Sequence, residues 1–511
     1  MKVLSVKQMA QWDRLSLKKI PATKLMFRAA QAVFHLLQEE GLQNKSVLIL
    51  AGPGNNGGDG LALATLLESF NIPCQVFAFF KKESLAPSPK YFYNQLKSPV
   101  IHIKEKKELK KIKAPLNQSN YLVDALFGIG LNRPIQGIFE KALSLANQSQ
   151  AKKIAIDIPS GISAETGEVL GKTAFKADKT LSFEVPKIGQ LKPVAWDYVG
   201  KLFIRPIGLL KSEEKKIKTK FYFNDPQELL GSLKKRSFYS HKRSVGKVLI
   251  LAGSSKMMGA GYLAALAAYR SGAGWVKWGV PYSCLSVATS LLPEAIIEPL
   301  EEKKQKLEPI SPNQVHSLCQ EVDSILLGPG WGRTQTSLIW METFLQHYPK
   351  NKPLVLDGDA LYLLAKNKKL FSYLKEAKVL LTPHLKEMAR LWTISLEELL
   401  AKREDLSIKL AKKYKIFLIL KGHHSLFINP KGNLLFNACD STVLASAGSG
   451  DVLAGLLSGL LSQGYSLDLA AKLGLFIHGR AGELWEKKQG PQGLLARDLC
   501  QEIPSILGSL I

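Results

Sequence analysis

Cysteine is scarce in this chain, and the few present are scattered. Five cysteines (Cys74, Cys284, Cys319, Cys439 and Cys500) are spread over 511 residues, with no CxxC pair among them. Such spacing argues against a thiolate zinc site or a disulfide-stapled fold, and it predicts a reducing, cytoplasmic setting. Long apolar runs are also missing. No stretch reaches the ~18 residues needed to cross a bilayer, and the polar, basic opening of the chain lacks the apolar core of a secretory signal. Aromatic residues make up only 8% of the chain, and none alternates with the lysine-rich stretches at 104–113 and 211–220. Both stretches interleave glutamate with lysine. The net charge of +26 is therefore expected to be a solvated surface, with neither nucleic acid nor membrane as a partner.

What the sequence does have is repeated alternation of short β-branched runs with helical stretches. At this length one core is not enough, and several domains' worth of chain is present. Buried-strand patterns fall at 46–51, 75–80, 121–126 and 153–158. The pattern fades across 201–222, through Pro206 and a charged run beginning at Lys211, which makes that segment the expected linker. It restarts at 246–252 and continues at 275–280, 324–327, 354–356, 379–381 and 416–420. Two α/β domains with parallel sheets are predicted, at 1–210 and 222–511. In such sheets ligands sit beyond the carboxyl ends of the strands, and the distinctive motifs fall there.

In the first half, the strand at 46–51 runs into GPGNNGGDG at 52–60. Its glycines permit close backbone approach, while Asn55, Asn56 and Asp59 add amide and carboxylate groups. The loop is neither a Walker loop nor GxGxxG. A second strand ends at Asp124, ahead of Gly128-Ile-Gly-Leu-Asn-Arg-Pro134, and a third ends in Ile156-Asp-Ile-Pro-Ser-Gly161. Asn56, Asp124, Asp157 and Ser160 are thus delivered to one crevice. Oxygen groups of this kind suit a hard cation; soft-metal ligands are absent.

In the second half the sharpest signal is ASAGSGDVLAG at 445–455. Gly448, Ser449 and Gly450 place free backbone N–H groups ahead of an apolar helix expected at 452–461, an arrangement that suits an anion. Asp451 falls where a carboxylate is useful only if it takes a proton from an attacking hydroxyl. Earlier strand ends carry AGSSKMMGA, GPGWG, LDGDAL, TPHLKEMARL and LKGHHS. Lys421, with Gly422 leaving space, suits a phosphate. His384 leaves a strand end after Pro383 and is expected to touch ligand. His423 and His424 form no metal site and read as loop.

Together these motifs identify a resemblance. GPGNNGGDG, DALFGIGLNRP, IDIPSG and TLSFEVPK resemble the NAD(P)H-hydrate epimerase family. The motifs from His241-Lys to Ile477-His-Gly-Arg-Ala-Gly482 resemble the ADP-dependent NAD(P)H-hydrate dehydratase family. The resemblance implies an N-terminal Rossmann-like three-layer domain fused to a C-terminal ribokinase-like domain, as in bifunctional NAD(P)H-hydrate repair enzymes. It implies potassium at Asn56, Asp124 and Ser160. Hydrate contacts would come from Asn55, Asn56, Gly57, Gly58, Asp59, Gly128, Ile129, Gly130, Leu131, Asn132, Arg133, Pro134 and Asp157, with Asp157 able to move a proton. In the second domain it implies hydrate contacts at Ala260, Gly330, His384 and Asp451. ADP contacts would be Lys421, Gly422, His423, His424, Ser425, Gly448, Ser449 and Gly450, with Asp451 catalytic.

The implied partners are NADHX, NADPHX and ADP as co-substrate, with Mg2+ on the phosphates, and a homo-oligomer is the expected assembly. The chain departs from the family pattern at Asp440-Ser-Thr-Val, Trp331, Gly358 and Ala29-Ala30, and none of these removes a charge the chemistry needs. Two other readings compete: a small-molecule kinase, and a first domain that binds without catalysing.

Overall fold

The computed structural model describes all residues except Arg243, Gln305, Cys439 and Asp440. The chain divides into two compact units, 2–221 and 222–511, with Met1 grouped in the second.

The first unit is built on a seven-stranded parallel sheet. Its strands are β1 (Val47–Ala51), β2 (Cys74–Ala78), β3 (Ile101–His102), β4 (Tyr121–Ala125), β5 (Lys152–Ile156), β6 (Lys179–Phe183) and β7 (Lys201–Arg205), in the order β3-β2-β1-β4-β5-β6-β7. β1 and β4 are buried along their whole length, as expected of strands covered on both faces. Helices Ala22–Glu39 and Asn55–Ser69 contribute to the core on one face. Lys110–Gln118 and Ile138–Gln148 cover the other. The chain leaves β1 for β2 on one side and later returns to β4 on the other. A crevice therefore opens at the carboxyl ends of β1 and β4, the switch point where such sheets bind ligands.

The second unit carries a ten-stranded sheet in the order β11-β10-β9-β14-β15-β16-β17-β18-β19-β8. Its strands are β8 (Phe221–Phe223), β9 (Lys247–Leu251), β10 (Trp275–Pro281), β11 (Ile296–Leu300), β14 (Ser324–Leu327), β15 (Leu354–Leu356), β16 (Val379–Leu381), β17 (Phe417–Leu420), β18 (Leu426–Ile428) and β19 (Leu434–Phe436). A separate hairpin joins β12 (Glu302–Lys303) to β13 (Lys306–Leu307). From β11 to β17 every pairing is parallel, and the switch point lies between β9 and β14. Helix Ser449–Ser462 packs on helix Met258–Arg270 at very short range. A Cβ on Gly455 would stand 2.0 Å from the Ala264 carbonyl oxygen, so only glycine permits this contact.

Four expectations need correction. The segment 201–222 is not a free linker: β7 is a strand of the first sheet, and Leu210 is held by hydrogen bonds to Trp12 Nε1 and Ser16 Oγ. The second sheet is not wholly parallel, because β18 and β19 add to it in antiparallel fashion. Short turns at 422–425 and 429–433 allow that return. The GNNGGDG stretch is not a loop but the first turns of helix Asn55–Ser69. Likewise the helix expected at 452–461 begins at Ser449, with Gly448 in the left-handed region (φ 86) as its N-cap. Among the described residues no helix is long and apolar enough to cross a membrane.

Candidate active sites

At the first switch point three loops close on one another. A Cβ on Gly52 would lie 1.8 Å from Leu126 O, and one on Gly57 would lie 1.8 Å from Gly52 O. The glycines thus let the start of helix Asn55–Ser69 sit directly on the ends of β1 and β4. Gly54, its N-cap, offers no side chain, so the first N–H groups are left for a ligand.

Beside this turn Asp124 is fully buried. It accepts from Ser160 N at 2.7 Å, from Ser160 Oγ at 2.7 Å and from Leu126 N at 3.1 Å. Ser160 Oγ in turn accepts from Phe127 N at 2.8 Å, and Asn56 Nδ2 donates to Phe127 O at 3.0 Å. Asn56, Asp124 and Ser160 are therefore brought together around the backbone of Leu126 and Phe127, offering only oxygen to a cation. Burial pushes the Asp124 carboxyl up to about 6, the mark of a charge that gains from a counter-ion. This donor set fits a hard cation, and among the described residues no His, Cys, Asp and Glu group would hold a softer metal.

The adjoining cavity, about 690 Å3, is lined by Asn55, Asn56, Asp59, the residues 128–133 and Asp157. Gly57, Gly58 and Pro134 do not line it; a Cβ on Gly58 would meet the Met26 thioether instead. Asp157 holds a left-handed backbone (φ 63). Its carboxylate accepts from Phe183 N and pairs with Lys187 Nζ. Lys187 is fully buried and also donates to Ser182 Oγ and Phe183 O. Lys187 and Asp13 are cavity residues that the motifs did not single out. Lys187 closes the TLSFEVPK motif and could have been suspected there; Asp13, on helix Val6–Leu17, carries no sequence signal.

In the second unit, helix Ser449–Ser462 opens without a side-chain cap, and of its first N–H groups Ser449 N donates to Ser446 O at 3.3 Å. Lys421, immediately after β17, pairs with Asp357, after β15, at 2.7 Å. A Cβ on Gly450 would stand 3.0 Å from Lys421 Nζ and 3.9 Å from Asp357 Oδ2. The absent side chain thus lets the lysine ammonium lie close to the helix start.

Asp451, in the same first turn, is pushed up to about 7, chiefly by burial and then by the Asp357 charge, with Lys421 pulling the other way. A carboxyl poised near neutrality suits a general base. His384 caps the helix Leu385–Trp392, its Nδ1 accepting from Lys386 N and Glu387 N. That assigns the proton to Nε2, and burial lowers the histidine's affinity for a second proton.

A cavity of about 890 Å3 is lined by His384, Lys421, Gly422, His423, Ser425, Ser449 and Gly450 among the expected residues. His424 does not face it. The side chain is buried, with Nδ1 against Asn437 O at 3.1 Å, and burial holds it neutral with a value near about 4. The turn at 422–425 sends successive side chains in different directions. Gly448, Ala260, Gly330 and Asp451 also lie off this lining. Ala260 and Gly330 face each other elsewhere: a Cβ on Gly330 (φ 61) would be 3.1 Å from Ala260 Cβ.

The loop bearing Gly330 is held to the β15 end by Asp359, which accepts from Gly332 N and Arg333 Nε. Asp359 is also among the charges that Asp451 feels. Asp357 and His478 were missed as site residues. His478 is half-buried and lines the cavity, with Nε2 at 2.9 Å from Ser449 O, and so anchors the first residue of helix Ser449–Ser462. Of the Asp440-Ser-Thr-Val departure, Asp440 lies outside the described residues; Ser441 and Thr442 line the cavity and donate to Glu486.

The sheets, their switch points and these two sites define a two-domain α/β enzyme with one reaction centre in each domain. Residues 248–505 match the family described as NAD(P)H-hydrate dehydratase, and residues 22–189 match the family described as YjeF-related protein N-terminus. The chain is 34% identical to a bifunctional NAD(P)H-hydrate repair enzyme from Dictyoglomus turgidum, over 96% of this chain and 95% of that one. It is 32% identical to one from Thermofilum pendens, over 100% and 97% of the respective chains. The chain belongs to the bifunctional NAD(P)H-hydrate repair enzyme family. It is also similar to the crystal structure of an ADP/ATP-dependent NAD(P)H-hydrate dehydratase from Bacillus subtilis, co-crystallized with ATP and Mg2+. That match has 28% identity and a TM-score of 0.48, covering 57% of this chain and 99% of that one.

Proposed function

We propose that the first unit interconverts the R and S forms of NADHX and NADPHX, and that the second dehydrates the S form at the expense of ADP. The observation that carries the second assignment is the meeting of an uncapped helix start, the Lys421–Asp357 pair and the near-neutral Asp451 beyond the carboxyl ends of β15 and β17. On this reading Asp451 takes the proton of the C6 hydroxyl, and that oxygen attacks the terminal phosphate of ADP, releasing AMP. Phosphate then leaves C6, driven by the lone pair on the ring nitrogen, and the iminium so formed gives up a C5 proton to the departed phosphate, which restores the dihydronicotinamide. The N–H groups at 448–450 and the Lys421 ammonium hold the phosphate oxygens as charge moves. Magnesium carried by the nucleotide adds positive charge on those oxygens.

In the first unit, Asn56, Asp124 and Ser160 would hold potassium, and Asp157 would act as base on the hydrate. The setting proposed is the cytoplasm and the assembly a homo-oligomer; the free, scattered cysteines support the former.

One spectrophotometric assay of mixed NADHX epimers, run in parallel with ADP and with ATP, tests the whole reading. Absorbance of NADH should be regenerated from both epimers, with AMP and phosphate formed in the ADP reaction. A stable phosphorylated hydrate would instead mark a kinase.

The unit boundary gives a further expectation. A fragment of residues 222–511 should convert S-hydrate at the full chain's rate and R-hydrate only as fast as it epimerises spontaneously. Epimerisation by that fragment at the parent rate would remove the activity from the first unit.

A further inference from the structure

The first cavity brings three carboxyl groups and one ammonium together, and only one of the carboxyls has a partner. Asp157 is bonded to Lys187 and to Phe183 N. Asp13 and Asp59 line the same cavity, and no described residue donates a hydrogen bond to either carboxyl. Buried polar groups are normally paired, so two partly buried carboxyls left open towards a cavity need a reason.

The two differ in their surroundings. Asp59 is held well above the ordinary carboxyl range by burial and by the charges of Asp157 and Asp13, with no cation pulling the other way. Asp13 is raised to about 6: burial raises it most, Asp157 and Glu184 add to that, and Lys187 pulls it down. A proton can therefore both leave Asp13 and return to it near neutrality, as a group that donates in one half of a reaction and accepts in the other must allow. The segment carrying Asp13 lies before residues 22–189, so the family match does not assign it.

We propose that Asp13 is a second catalytic acid–base residue of the epimerase cavity, working with the Asp157–Lys187 pair on the two protons that inversion at C6 must move. This rests on the epimerase reading of the first unit. Asp157, paired with Lys187, takes the proton of the C6 hydroxyl. The C6–N1 bond breaks with its electron pair passing to N1, which receives the Asp13 proton. The open aldehyde turns about C5–C6, and N1 adds to its other face. N1 returns its proton to Asp13, and the oxygen recovers the one held on Asp157. No atom, electron or proton is gained or lost overall.

The test uses the full chain with Asp13→Asn, Asp13→Glu and Asp157→Asn, assayed on R-hydrate for S-hydrate formed and, separately, on S-hydrate with ADP. Asp13→Asn should lower kcat for epimerisation by about 10²–10³-fold, with KM changed by less than about threefold and dehydration unchanged. Its thermal midpoint should not fall, because the carboxyl it removes has no partner. Parent-like epimerisation by Asp13→Asn while Asp157→Asn is inactive overturns the assignment of Asp13 and leaves the epimerase reading standing. Parent-like epimerisation by both variants removes both residues from the chemistry, and a parent chain that forms no S-hydrate from R-hydrate overturns that reading itself. If Asp13→Asn melts early, Asp13→Glu decides. Its carboxyl is moved by one methylene and should lose about tenfold in kcat, and parent-like turnover there overturns the proposal.

Discussion

Asp451→Asn should lower ADP-dependent dehydration of S-hydrate by about 10²–10⁴-fold, the usual range for loss of a general base. The amide keeps the size of the carboxyl but cannot take the hydroxyl proton. Nucleotide binding should survive, because the open N–H groups at the start of helix Ser449–Ser462 are untouched. Removing a negative charge near the Lys421–Asp357 pair should, if anything, favour phosphate. The parent's turnover should rise with pH through about 7, where Asp451 ionises, and the variant should lose that limb.

Stability gives an independent check. A carboxyl whose folded value lies above the unfolded 3.8 favours folding at lower pH and loses that contribution as pH rises through about 7. Measured against the parent, the asparagine variant should therefore gain stability between about pH 4 and pH 8 in thermal melts. Near-parental turnover would mean that Asp451 merely occupies the first turn of its helix.

Most of the strand framework was legible because a buried parallel strand is a short apolar run bounded by turn residues. Ser324–Leu327, Leu354–Leu356 and Val379–Leu381 fall where the pattern put them. The misses share one physical cause: local propensity was overridden by tertiary contact. Asn55–Asp59 is poor helix-forming sequence, yet helix Asn55–Ser69 begins there because Gly52 and Gly57 let it dock on the Leu126 loop. The charged 211–220 stretch looks like a linker, yet Ser16 and Trp12 tie Leu210 down beside it.

The sites show the same division. Motif residues at strand ends, such as Asn56, Asp124 and Ser160, converge as their positions suggest. Asp13 and Lys187 reach the first cavity from a helix and a strand-end segment far apart in sequence, and only the folded chain brings them together. His423 and His424 are indistinguishable by type. One faces the larger cavity and the other the interior, because the turn between β17 and β18 rotates the backbone, with His424 at φ 44.

Asp124→Asn should abolish potassium-dependent epimerisation and leave dehydration of S-hydrate unchanged. The parent carboxylate is fully buried and accepts three hydrogen bonds, from Ser160 N, Ser160 Oγ and Leu126 N. Alanine would leave those buried donors without an acceptor, at about 1–3 kcal/mol for each group left unsatisfied, and would confuse lost folding with lost ion binding. Asparagine retains one oxygen for the donors while removing the charge that a cation would balance, so it separates the two effects.

The measurement is the R-to-S rate as potassium chloride is exchanged for choline chloride at constant ionic strength. The parent should gain activity with potassium, and the variant should remain low and flat across the series. Thermal melts in the same two salts add a readout free of catalysis: potassium should raise the parent's first transition and leave the variant's where it was. A variant that keeps the parent's potassium response would show that the ion is held somewhere other than between Asn56, Asp124 and Ser160.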